Sequence, residues 1–155
     1  MSFGKKHQLA KLQLDGKDIE WVNSCSYLGV SIESHTSFNC GIDEKVKSFY
    51  RSANGILRIE GKSDENVMLQ LLEAHCLPIL TYAIDVIHVA NRDERRRMRV
   101  AYNSIFRKTF EYRQWESVTA LQHALHRPTW EELVNARRET LRNKISEKPL
   151  LSQLY

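Results

Sequence analysis

The chain reads as an α+β protein, mostly α, with a short antiparallel β-element followed by a bundle of four to five helices. Three observations carry that reading. Apolar residues alternate at a period of two before about residue 33, and at roughly 3.6 beyond it. Asp15-Gly16 sits between two such alternating runs, and both residues tolerate the positive φ that a tight hairpin requires. Proline and glycine then divide the rest into segments of helical length. A chain of 155 residues buries a core without disulfide or metal staples. Its 42% hydrophobic and 27% charged content fits a soluble globular protein.

Residues 9–14 and 19–22 flank Asp15-Gly16-Lys17-Asp18 as a hairpin. A third strand is expected over Tyr27–Ile32. Leu28, Val30 and Ile32 would face the core, and Tyr27, Gly29 and Ser31 the other side. Gly29 weakens a strand interior unless backbone or ligand must come close there. Residues 34–41 read as a polar loop. A helix follows over Gly41–Arg58, with an apolar stripe of Ile42, Val46, Phe49, Ala53, Ile56 and Leu57 and with Gly61 as its stop. Ser63 is the expected N-cap of the next helix.

Pro78 removes a backbone donor, so a kink or break is expected there. Ile79–Val89 is apolar nearly all round, as in a centrally buried helix. Asn91 caps a helix over Arg92–Phe110, whose inner stripe is Met98, Ala101, Tyr102, Ile105, Phe106 and Thr109. A short helix over 117–126 closes at Arg127-Pro128. Thr129 and Glu132 then form a capping box that opens the last helix, which ends at Lys148-Pro149. The expected division is a β-rich segment over 1–36, a helical bundle over 37–113 and a helical extension over 114–155.

The chemistry excludes more than it supports. There is no Gly-rich phosphate loop, no nucleophile elbow, and no pair of carboxylates at a strand end to hold two metal ions. Asp15, Asp18 and Glu20 read as solvated turn carboxylates. His75, Cys76, His88, His123 and His126 lack the spacing of a metal motif, and His75 with Cys76 reads as core or core edge. No cofactor is implied. Cys25, Cys40 and Cys76, odd in number and widely spaced, point to reduced thiols and so to a nuclear or cytoplasmic protein. The N-terminus has no apolar run behind its lysines, which points away from a secretory signal. No apolar stretch approaches the roughly 18–20 residues of a membrane span.

Charge is the strongest functional signal. Between Arg92 and Arg113 lie eight basic and three acidic residues, an excess larger than the whole chain's formal charge of +4. Arginine forks bind phosphate bidentately, so a local basic stripe fits a polyanion. The candidate contacts are Arg92, Arg95, Arg96, Arg99, Arg107 and Lys108.

Several stretches resemble a known family. Leu-x-Leu-Asp-Gly, then Tyr27-Leu28-Gly29-Val30, then Leu77-Pro78-Ile79-Leu80-Thr81-Tyr82-Ala83 and Asn103-Ser104-Ile105-Phe106-Arg107 follow in order. Together they resemble the C-terminal part of non-LTR (LINE-type, jockey-like) retrotransposon reverse transcriptases, over about residues 3 to 110. The resemblance implies a palm end and primer grip at Tyr27 and Gly29, then a thumb, then a linker. Ala83 stands where the family typically has glycine. The family's Tyr-Ala-Asp-Asp motif and fingers are absent, so the chain is expected to begin inside a palm domain and to have no polymerase activity. The implied partner is RNA or an RNA/DNA duplex, held through phosphates by Tyr27, Gly29 and the basic helix. Two other readings stand beside this one. The chain is a protein-interaction or oligomerisation module with Leu28, Val30 and Ile32 exposed, or a translated relic with no function.

Overall fold

A computed structural model of the chain describes residues 11–34, 39–60, 64–87 and 92–147. The fold is α+β and mostly helical. Two small antiparallel sheets lead into helices that share one apolar core. Strands β1 (Leu12–Leu14) and β2 (Lys17–Ile19) pair as the expected hairpin. Both turn residues have positive φ, 49° at Asp15 and 74° at Gly16, as a two-residue primed turn requires.

The expected third strand is instead a second hairpin. β3 (Ser24–Tyr27) and β4 (Val30–Glu33) are antiparallel, with Tyr27 opposite Val30 and Leu28-Gly29 as the turn. Leu28 and Gly29 have φ of 47° and 74°. Gly29 is therefore explained by a turn that needs the left-handed region, not by a strand that needs room. The predicted core face holds only in part. Leu28 is 71% exposed at the turn tip, while Val30 packs against the core from the strand. Part of the predicted polar loop is also strand: β5 (Asn39–Gly41) pairs with β4 and gives the sheet order β3-β4-β5.

Helix α1 spans Asp43–Glu60, with Asp43 and Glu44 in its first turn and Arg58 in its last, as the helix dipole favours. Its expected stop at Gly61 and the expected cap at Ser63 lie outside the described residues. Asp64 caps α2 (Glu65–Thr81), its carboxylate accepting from Asn66 N at 2.8 Å. The break predicted at Pro78 falls later. Leu80 and Thr81 are both buried, and that packing carries the helix one turn past the proline. Tyr82-Ala83 then turns the chain, and α3 is described over Ile84–Ile87. So Ile79–Val89 is not one central helix, and Tyr82 is exposed.

Ala83 has φ of 53°. A left-handed Cβ costs about 1–2 kcal/mol, so glycine would suit this position better than alanine. Ala83→Gly is expected to raise stability by about 0.5–1 kcal/mol, since the relief exceeds the added chain entropy. A urea midpoint that rises at constant slope checks this; an unchanged or lower midpoint contradicts it.

Helix α4 spans Arg92–Thr109, and all six residues of its predicted inner stripe are buried. It packs against α1 and α2, so that Phe49, Ala53, Leu69, Leu72, Cys76, Met98, Ile105 and Phe106 form the centre of the core. Each fully buried Leu, Ile, Met or Phe among them contributes about 1.5–3 kcal/mol. Helix α5 (Thr119–Ala124) is shorter than its predicted 117–126. Helix α6 (Trp130–Ser146) starts at the expected capping box. There Thr129 Oγ1 accepts from Glu132 N at 3.3 Å, while Thr129 N donates to Glu132 Oε2 at 2.7 Å. Cys76 is core as expected, but His75 is exposed.

Candidate nucleic-acid interface

The faces of α4 decide what its arginines can reach. Residues at spacings of three and four share a helix face. Arg92, Arg95, Arg96, Arg99, Asn103 and Arg107 follow that spacing, beside the buried Tyr102 and Phe106. Arg97 and Lys108 fall on another side, toward α1. Arg97 Nη2 pairs with Asp43 Oδ1 at 2.6 Å. Lys108 Nζ donates to Asn54 Oδ1 at 2.7 Å and lies 5.7 Å from the Tyr50 ring centre.

The start of α6 builds the facing wall. Tyr102 Oη donates to Pro128 O at 2.8 Å, which fixes the chain just before the capping box. Burial holds that phenol well above its ordinary pKa, so it stays a donor. The Trp130 ring lies 5.7 Å from the Tyr102 ring and is 3% exposed. Its Nε1, a donor only, is buried without a partner among the described residues. Between the two walls runs a cleft of about 880 Å³, lined by Arg92, Arg95, Arg96, Arg99, Trp130 and Glu131 among others. A second cleft of about 470 Å³ shares Arg96, Arg99, Trp130 and Glu131 and extends the line to Asn103, Arg107 and Gln122. Together they make one groove along α4.

Within the groove the arginines differ. Arg99 Nη1 sits 3.3 Å from Glu131 Oε1 across the cleft. Arg107 donates through Nε and Nη2 to Glu116 O at 3.2 and 3.0 Å, so it staples the loop after α4. Arg92, Arg95 and Arg96 are exposed and have no protein partner among the described residues. Five of the eight residues chosen from sequence thus share one groove.

Tyr27, Gly29 and Lys108 do not line it. Tyr27, 65% exposed, and Gly29 belong to the β3–β4 turn, and that turn is latched to the helices. Tyr82 Oη donates to Leu28 O at 2.6 Å, and Lys45 Nζ donates to Tyr82 O while lying 5.2 Å from the Tyr82 ring centre. Burial pulls the Lys45 amine down to about 8, partly offset by Cys40. The Tyr-Leu-Gly and Pro-x-Leu-x-Tyr stretches, distant in sequence, therefore meet at one hydrogen bond. Tyr82→Phe removes it. Amide exchange over residues 27–30 is expected to speed up by roughly 5- to 10-fold, the equivalent of one hydrogen bond of about 1 kcal/mol. Unchanged exchange in that turn would show that the latch contributes nothing.

Three site features escaped the sequence reading: the Tyr82 latch, the cleft wall at Trp130, and Trp115, which is 77% exposed with the Arg113 guanidinium 5.7 Å from its ring centre. Only Tyr112-Arg113-Gln114-Trp115, aromatic and basic residues interleaved, signalled the last of these. Among the described residues no group of three His, Cys, Asp or Glu is placed to hold a metal ion, and no helix is long and apolar enough to cross a membrane. Cys25, Cys40 and Cys76 are unpaired.

Compared with family models, curated proteins and solved structures, the chain matches none.

Proposed function

We propose that the chain is a non-catalytic, reverse-transcriptase-derived, thumb-like module. It binds RNA or RNA/DNA duplex weakly and without sequence choice through α4. The observation that carries this reading is the groove, in which Arg92, Arg95 and Arg96 face solvent together while, among the described residues, its larger cleft is lined by two acids, Asp93 and Glu131. Arginine forks without protein partners are free for bidentate phosphate contact. Phosphate contacts position a nucleic acid without reading its sequence, so backbone charge and shape carry the binding. The order of the Tyr-Leu-Gly and Pro-x-Leu-x-Tyr motifs, and their meeting at Tyr82, supports the retroelement origin. The test is a fluorescence-anisotropy titration of RNA/DNA duplex across salt concentrations. Affinity is expected to fall steeply with salt as counterions are released. No binding at low salt overturns the proposal.

A second reading rests on a separate observation. Leu12, Leu14, Ile19, Trp21 and Val22 are all exposed on or beside the β1–β2 hairpin. Leu12 lies opposite Ile19, so one face of that hairpin is apolar and open. An interaction or oligomerisation module would use this face, rather than the Leu28, Val30 and Ile32 face expected from sequence. Size-exclusion with light scattering separates the two readings. A dimer indifferent to added RNA favours the second, and a monomer that shifts only with RNA favours the first.

A further inference from the structure

Trp115 is held out rather than left out. Arg107, a groove residue, clamps Glu116 O with two donors. Glu116 Oε2 in turn accepts from Arg113 N at 2.6 Å, and Glu116 N donates to Arg113 O at 3.1 Å. These bonds close a turn over residues 113–116 at the Arg107 end of the groove. Trp115 projects from that turn, with Arg113 over its ring. A large ring left 77% exposed forgoes the roughly 2–3 kcal/mol that burial of so large an apolar group offers. Four hydrogen bonds hold the turn that presents it at the end of a basic track.

We infer that Trp115 is a stacking platform for an unpaired nucleobase, so that the preferred ligand is a duplex carrying a single-stranded extension rather than a blunt duplex. The inference rests on the groove reading above. Every base has a π-face that stacks on an aromatic ring whatever its identity, which fits binding without sequence choice. Inside a duplex both faces of each base are covered by neighbours and a blunt end leaves open only one face of its last pair, so an unpaired base, free to swing onto the ring, uses it best. Arg113 adds a cation beside the stacked pair, as guanidinium planes do on aromatic faces.

The experiment compares the full chain with Trp115→Ala and Trp115→Phe on two labelled probes: a blunt RNA/DNA duplex, and the same duplex with a single-stranded RNA extension. The wild type is expected to bind the extended probe more tightly. Trp115→Ala is expected to lose roughly 10-fold on the extended probe and less than about twofold on the blunt one, while Trp115→Phe keeps most of the gain. If the wild type shows salt-sensitive binding to both probes but Trp115→Ala changes neither, or both equally, the platform is overturned and the groove reading stands. If the wild type binds neither probe at low salt, the groove reading falls and the platform with it.

Discussion

Trp130→Ala is expected to lower unfolding stability by about 3–5 kcal/mol, the range for emptying a buried aromatic site. Trp130 is 3% exposed and is the first residue of α6, packed against Tyr102 of α4. The residue just before it belongs to the capping box, and Pro128, one further back, accepts the Tyr102 hydroxyl. Removing the indole therefore leaves a cavity where cap, hydrogen bond and tilted ring contact converge. For a chain of this size the loss corresponds to a fall in Tm of roughly 6–20 °C. A total stability of 5–15 kcal/mol is usual, so this is a large fraction of it. Trp130→Phe is the sharper comparison. The indole Nε1 has no partner among the described residues, so phenylalanine forfeits no hydrogen bond there and keeps a ring on Tyr102. Its cost is expected to be less than half that of alanine. Urea unfolding of the three proteins checks both statements. An alanine variant within about 1 kcal/mol of the wild type would show that α6 is not anchored through this ring.

The elements were legible wherever local chemistry and tertiary packing agree. Asp15-Gly16 folds as the turn it spells, and the six inner residues of α4 are buried as their spacing requires. The Thr129–Glu132 box opens α6 because both halves of its reciprocal bond lie within four residues. The failures have an equally definite cause. Leu28-Gly29 lacks the Asn or Asp that usually marks a primed turn, so its apolar neighbours read as one continuous strand. Pro78 signals a break that the buried Leu80 and Thr81 override, and the real turn falls on an alanine at positive φ, which no sequence rule favours.

For the site, sequence located the right helix and could not divide its charges. Eight basic residues crowd Arg92–Arg113, but whether each is free depends on what α1, α6 and the loop at Glu116 place opposite. Arg97 meets Asp43, Arg99 meets Glu131, Arg107 meets a carbonyl and Lys108 meets Asn54. Those partners are up to 54 residues away in the chain, beyond any local pattern. Tyr27 and Gly29 were grouped with the arginines through the resemblance alone, and the structure places them at a separate latched turn.

That division makes the second large prediction specific. Replacing Arg92, Arg95 and Arg96 together by alanine is expected to weaken duplex binding roughly 100-fold at low salt, taking about 1 kcal/mol for each lost phosphate contact. The slope of log affinity against log salt should also become shallower by about two to three, since each contact removed releases about one counterion fewer. The three side chains are exposed and unpaired among the described residues, so their loss should leave the urea midpoint almost unchanged. The control removes equal kinds of charge from the other side of the same helix. Arg97→Ala with Lys108→Ala breaks the contacts to Asp43 and Asn54 on α1, yet touches nothing in the groove. That pair is expected to keep the wild-type salt slope within about half a unit, with only a modest loss of affinity from the lower net charge. Net charge alone would make the two sets differ only in proportion to the charges removed. A groove makes the triple variant dominant in slope as well as affinity. Equal loss per charge from both sets would mean that α4 attracts polyanions diffusely and that the groove has no part in holding them.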